Sequence, residues 1–171
     1  MKTIYCAAIC MIAAFPIPVT LADDNNNSSS IAQIGQDVAA AVAQQGNDNV
    51  NVSDIQQGLV TPADTVISFV GQGGTDNENT SNVRQDGALF FADILQEGGL
   101  TINSSLVDQD GVANEAYVTQ YGDGNQNSSE ITQNGTGALN SAFVDQFGTG
   151  NSNSSGISQN GQGLTTSVVQ Q

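Results

Sequence analysis

Asn127 to Gln146, NSSEITQNGTGALNSAFVDQ, holds two short motifs of one kind. The first is Asn127-x-Ser129-x-Ile131-x-Gln133-x-Gly135, and the second is Asn140-x-Ala142-x-Val144-x-Gln146-x-Gly148. Alternation with a period of two is the mark of a strand, and a glycine just beyond it marks a turn. Outward from this stretch the kernel, a small residue, x, Val or Ile, x, Gln, recurs twelve times. Odd kernels end on Gln33, Gln57, Gln85, Gln109, Gln133 and Gln159, and even ones on Gln44, Gln72, Gln96, Gln120, Gln146 and Gln170. Odd kernels also open on Asn27, Asn51, Asn79, Asn103, Asn127 and Asn153, whereas even ones carry Ala40, Ser68, Ala92, Ala116, Ala142 and Thr166. The unit is therefore a pair, repeated six times.

The repeats run 27–50, 51–78, 79–102, 103–126, 127–152 and 153–171. From each even glutamine to the next odd one the spacing is always 13 residues. From odd to even it is usually 11, growing to 15 around Pro62 and to 13 between Gln133 and Gln146. One turn is invariant and the other takes the insertions. A period of about 24 residues built of strand, turn, strand and turn predicts an all-β fold, a six-rung β-solenoid or cross-β stack.

The columns of such a stack decide its inside. Between the odd kernel positions lie Ser30, Asp54, Asn82, Leu106, Glu130 and Gly156, then Ala32, Gln56, Arg84, Asp108, Thr132 and Ser158. Charges occur there freely, so that face is solvated. The kernel face must be interior, with a thin β-branched core of Ile31, Val42, Ile55, Val70, Val83, Ile94, Val107, Val118, Ile131, Val144, Ile157 and Val168. Buried amides need partners, and Gln stacked on Gln or Asn on Asn supplies them. On the even strands an outward aromatic ladder of Phe69, Phe91, Tyr117 and Phe143 is expected to occupy one column, and Tyr121 and Phe147 are expected to stack likewise just beyond Gln120 and Gln146. A contiguous exposed apolar stripe of that kind suits lateral contact.

Composition agrees with a stack rather than a conventional core: of 171 residues 38% are hydrophobic, 5% aromatic and none Trp, with 19 Gly. Lys2, the apolar run from Ile4 to Val19 and Thr20-Leu21-Ala22 read as a secretory signal over 1–22, followed by a short polar leader over 23–26. The run is too short and too interrupted by proline for a membrane span. Cys6 and Cys10 both fall in the signal, so the mature chain is expected to lack any thiol. It would keep Arg84 against 17 acids, a net −16, which repels nucleic acid and anionic membranes.

Gln120-Tyr121-Gly122-Asp123-Gly124-Asn125 and Gln146-Phe147-Gly148-Thr149-Gly150-Asn151 resemble the Q-x-G-x-G-N of the curlin repeat, as Asn114-x-Ala116-x3-Gln120 and Asn140-x-Ala142-x3-Gln146 resemble its N-x-A-x3-Q. The resemblance extends over 27–171. It implies a subunit of curli, the extracellular amyloid fibres of Gram-negative bacterial biofilms, with this chain itself, a nucleating curlin-like subunit and an outer-membrane secretion channel as partners. It departs from the family in having Asn where the S-x5-Q motif has Ser, in lacking a long Gly-rich leader, and in placing Gly58 directly after Gln57. Repeats four to six hold no Lys or Arg, which favours the major fibre subunit over the minor nucleator.

With no His and no mature Cys, the usual nucleophile–base pairs and transition-metal ligand sets cannot be assembled, so neither an enzyme nor a cofactor is expected. Asp76-Asn77-Glu78-Asn79 and Asp123-Gly124-Asn125 faintly resemble calcium-binding turns, but polar turn chemistry accounts for them. The alternative of a different class is a monomeric secreted β-solenoid binding glycan, ice or calcium, whose ends would be closed by polar caps. The first repeat opens just after the leader and the last strand runs to Gln171, so open ends and a polymer are expected.

Overall fold

The computed structural model describes residues 5–11, 17–23, 26–47, 50–58, 63–135, 138–150 and 152–171. Its elements are all strands: β1 (Tyr5–Met11), β2 (Ile17–Asp23), β3 (Asn26–Asn47), β4 (Val50–Gln57), β5 (Ala63–Thr75), β6 (Glu78–Gly99), β7 (Ile102–Asp123), β8 (Gln126–Gly135), β9 (Asn140–Thr149), β10 (Ser152–Asn160) and β11 (Thr165–Gln170).

They pair parallel and in register, residue type upon residue type, as a β-solenoid of about six turns. Odd arms stack in the order β3, β4, β6, β7, β8, β10, and even arms run through β3, β5, β6, β7, β9 and β11. In β3, β6 and β7 one bent strand supplies both arms of a rung. Register is strict because a slip of one residue would turn every Ile, Val and Gln of a rung out to water. β1 and β2 lie on β3 as a further rung, Tyr5 opposite Ser28 and Ile17 opposite Ala41. The two lengthened connections, around Pro62 and after Gly135, involve residues 59–62 and 136–137, which lie outside the described residues.

The core is the space between the arms. Ile31, Val42, Ile55, Val70, Val83, Ile94, Val107, Val118, Ile131, Val144 and Ile157 are buried in one cluster, with Val168 half-buried at its end. Glycine is obligatory where successive bends approach closely. At Gly98 (φ 151°) a Cβ would lie 1.8 Å from the carbonyl oxygen of Gly122, and at Gly111 (φ 105°) 1.9 Å from that of Gly135.

Candidate functional site

Each strand arm ends on a glutamine that points inward at the bend, and the parallel register brings like glutamines to one height per rung. In the odd column, Gln57 Nε2 donates to Gln85 Oε1 (2.9 Å), Gln85 to Gln109 (2.7 Å), Gln109 to Gln133 (2.8 Å) and Gln133 to Gln159 (2.7 Å). Gln33 donates to Gln57 in the same way. In the even column the bonds run Gln44 to Gln72, Gln72 to Gln96, Gln96 to Gln120, Gln120 to Gln146 and Gln146 to Gln170, all 2.7–2.9 Å.

The second amide hydrogen crosses between the arms. Gln72 donates to the carbonyl of Val52, Gln96 to that of Thr80, Gln109 to that of Phe91 and Gln120 to that of Ser104, at 3.1–3.2 Å. In these four glutamines both amide hydrogens and the oxygen are engaged, so their burial leaves nothing unsatisfied. Among the described residues no buried side-chain nitrogen or oxygen lacks a partner.

The asparagine column is wired the other way. Asn51 Nδ2 donates to Asn27 Oδ1, Asn79 to Asn51, Asn103 to Asn79, Asn127 to Asn103 and Asn153 to Asn127. The ladders therefore have a direction, glutamines donating toward the last rung and asparagines toward the first.

Sequence reasoning treated the glutamines as stacked only on each other; the cross-arm bonds depend on how near the opposite backbone lies, which spacing does not report. It also missed an inner corner formed by Val38, Val66 and Phe90, a separate buried cluster. Each lies two residues before the small kernel residue, so extending the period by one step would have found it. In the next rungs the same column holds Asn114, which donates to the carbonyl of Asp110, and Asn140, which donates to the carbonyl of Gly161 and to Asn114 Oδ1. At the opposite corner Asn77 Nδ2 donates to the carbonyls of Gly73 and Gly98, and Asn125 to that of Gly148, so these asparagines close the turn between two rungs. Among the described residues no group of three acidic, His or Cys side chains could hold a metal ion.

On the outer odd face Arg84 bonds Asp108 of the next rung at 2.9 Å and lies 3.7 Å from Asp86. On the outer even face the aromatic column needs correcting. Phe69 is aligned with Asp93, and Asp93 with Tyr117, whereas Phe91 belongs two residues earlier, in the column of Ile67 and Glu115. The kernel Ala92-x-Ile94 encloses Asp93, so Phe91 cannot share that column. The rings nevertheless meet, because a residue in a diagonal position is within reach of a large side chain. Phe91 lies 6.1 Å from Phe69 and 5.2 Å from Tyr117, and Tyr117 stacks on Phe143 at 4.9 Å. Tyr121 is aligned with Phe147. Burial raises the pKa of Asp93, and burial followed by the charges of Glu115 and Asp93 raises that of Tyr117.

The last rung differs from those inside. Among the described residues nothing pairs with the outer edge of β10 or β11, and Asn153, Ser155, Val168 and Gln170, whose counterparts inside are buried, are half-exposed.

Residues 103–135 match the family model of the curlin associated repeat. The match spans β7 from its second residue, the turn after it and β8, and it supports the curlin family for this chain. No curated protein and no solved structure matches the chain. No described helix is long and apolar enough to cross a membrane.

Proposed function

We propose that the chain is a structural subunit of a secreted, curli-like fibre that polymerises head to tail by adding rungs, and that it serves biofilm matrix and surface adhesion. The carrying observation is the direction of the ladders. Among the described residues Gln159 and Gln170 have no glutamine above them to receive the hydrogen that interior glutamines send to the next rung, and they donate within the last rungs instead, Gln159 to the Ser141 carbonyl and Thr166 Oγ1 and Gln170 to the Ser154 carbonyl. At the other end the oxygens of Gln33 and Gln44 have no glutamine beneath, since the register places Cys10 and Thr20 there. These two edges complement each other and neither complements itself. Such a heterologous contact does not close, and repeating it makes a filament.

Cleavage of a signal after Ala22 would remove β1 and nearly all of β2, uncovering the edge of β3 as the receiving end. A nucleating subunit and a secretion channel are the partners the curlin resemblance supplies. The major type is favoured because residues 103–171 hold neither Lys nor Arg.

Residues 23–171, purified unfolded and diluted into buffer, should form β-rich fibres after a lag that preformed seed abolishes. A seeded, concentrated solution that stays monomeric by sedimentation would refute the proposal. Stacked carboxylates oppose assembly, so acidification toward about pH 4 or added salt should shorten the lag. Replacing Gln159 and Gln170 with Leu should slow elongation while seeds of the unaltered chain keep their own structure. Changing Phe69, Phe91, Tyr117 and Phe143 to Thr should leave fibres that form but bundle and adhere poorly.

A further inference from the structure

The odd bend carries one column whose chemistry changes along the chain while its shape does not. Directly after the odd glutamines come Asp86, Asp110, Asn134 and Asn160, aligned rung on rung, and each is followed by a glycine. Packing requires that glycine: a Cβ on Gly87 would lie 2.0 Å from the carbonyl oxygen of Gly111, and one on Gly135 2.2 Å from that of Gly161. The fold therefore places a residue without a side chain after Asn134, and the sequence places one after Asn160, and both asparagines are exposed. These are the two Asn-Gly pairs of the whole sequence. The ladder asparagines Asn51, Asn79, Asn103 and Asn127 differ on both counts, being buried, bonded along their column and followed by Val, Thr or Ser.

We propose that Asn134 and Asn160 are sites of self-modification, open while the chain is unfolded and closed by the fold. The backbone nitrogen of the following glycine attacks Cγ of the asparagine and closes a cyclic imide, a succinimide. The side-chain nitrogen leaves as ammonia, taking the proton that the backbone nitrogen gives up. Water then adds to one ring carbonyl and breaks a ring C–N bond, leaving aspartate or, when the original backbone bond is the one that breaks, isoaspartate. One water enters, one ammonia leaves and nothing is oxidised or reduced. Glycine favours the attack because no Cβ stands beside the nitrogen and the backbone turns freely. The fold opposes it twice. Both asparagines lie in strands, β8 and β10, whose extended backbone turns the following nitrogen away from the side chain. That nitrogen is also held: Gly161 donates to the carbonyl of Asn134 at 3.0 Å, its own carbonyl accepts from Asn140 Nδ2 at 3.2 Å, and Gly135 is paired with Gly111. Conversion before folding has a cost in the stack. Aspartate at both positions continues the carboxylates of Asp86 and Asp110 through the next rungs, like charges directly opposite one another. Isoaspartate lengthens the main chain just where the glycines have no room to shift.

The reaction belongs to one chain, so it is tested apart from polymerisation. The full chain is kept unfolded in guanidinium chloride or in its β-rich state, checked by circular dichroism, in the same mildly alkaline buffer. Released ammonia is measured, the gain of about 1 Da per converted amide is located by peptide mass spectrometry, and isoaspartate is told apart by enzymatic methylation. In the unfolded chain Asn134 and Asn160 should convert before any other asparagine. In the β-rich state both should convert at least about tenfold more slowly, since only opening of the rung frees the nitrogen. Asn134→Ser combined with Asn160→Ser should abolish the fast phase of ammonia release with β content intact. Asn134→Asp combined with Asn160→Asp, the product made in advance, should lower the denaturant midpoint at neutral pH and regain most of that loss at about pH 4. Equal conversion rates in the two states, fast release that survives the serine exchange, or an aspartate variant as stable as the unaltered chain at neutral pH each overturns the proposal.

Discussion

Rungs one to three and rungs four and five close the same inner corner with opposite chemistry. In the first group Val38, Val66 and Phe90 bury side chains against one another; in the second Asn114 and Asn140 form a short amide ladder that also holds the turn carbonyls. The turns between rungs differ in the same sense. Asp76 and Leu100 hold left-handed φ angles after rungs two and three, where Gly124 and Gly150 hold them at the equivalent positions after rungs four and five. The backbone is indifferent to which solution it receives, provided each corner agrees with the rungs above and below. A residue in a stack is judged by its column, not by its own type.

Mixing the two chemistries should therefore have the largest effect. Val66→Asn puts an amide between Val38 and Phe90, where neither neighbour can bond it. The lost burial and the unpaired amide together should cost about 4 kcal/mol, read as a lower denaturant midpoint of the unassembled folded chain or of its fibres. The reverse exchange should cost less. Asn140→Val removes the acceptor of the Leu164 amide and the partner of Asn114 but still packs an apolar group, so about 2 kcal/mol is expected. If both exchanges cost the same, the corners are set by residue volume alone and the comparison fails.

The turn pair gives a smaller contrast of opposite sign. Leu100 is 70% exposed at φ 54°, so Leu100→Gly loses little burial and relieves about 1 kcal/mol of backbone strain. Gly124→Leu, at the equivalent turn of the next rung, should destabilise by a similar amount.

The smallest effect concerns Asp93, the acid standing where rungs four and five carry Tyr117 and Phe143. Burial raises its pKa above the ordinary 3.8, so the folded state favours the protonated form. This group's opposition to folding is present above the folded pKa and disappears as pH falls to 3.8. Asp93→Asn should thus be slightly more stable than the unaltered chain at neutral pH and equal to it in strong acid. A constant difference across that range would mean that shape, not charge, separates them.

Much of this could be read from residues alone because a stack converts spacing directly into neighbours. Gln85 and Gln109 are 24 residues apart in sequence and bonded in space, and the same holds for Arg84 and Asp108. What escaped the reading needed a comparison between columns or across the interior. Phe91 was placed with Tyr117 by residue type, although counting from Ile94 puts Asp93 there. Phe90, next to it, points inward and marks a corner that the kernel pattern alone does not extend to.

The sequence by itself determined the repeat, the register, the inward face and the identity of the glutamine ladders and of the odd-strand asparagine ladder, since period-two alternation and a fixed period leave one way to hide the apolar side chains. Only the tertiary structure decided how the arms are joined to each other. The cross-arm bonds of the glutamines, the direction of donation along each ladder and the inner corners all depend on distances between segments that meet across the rung. Those distances follow from the bend angles and side-chain reach at particular turns, which the spacing of kernels does not encode.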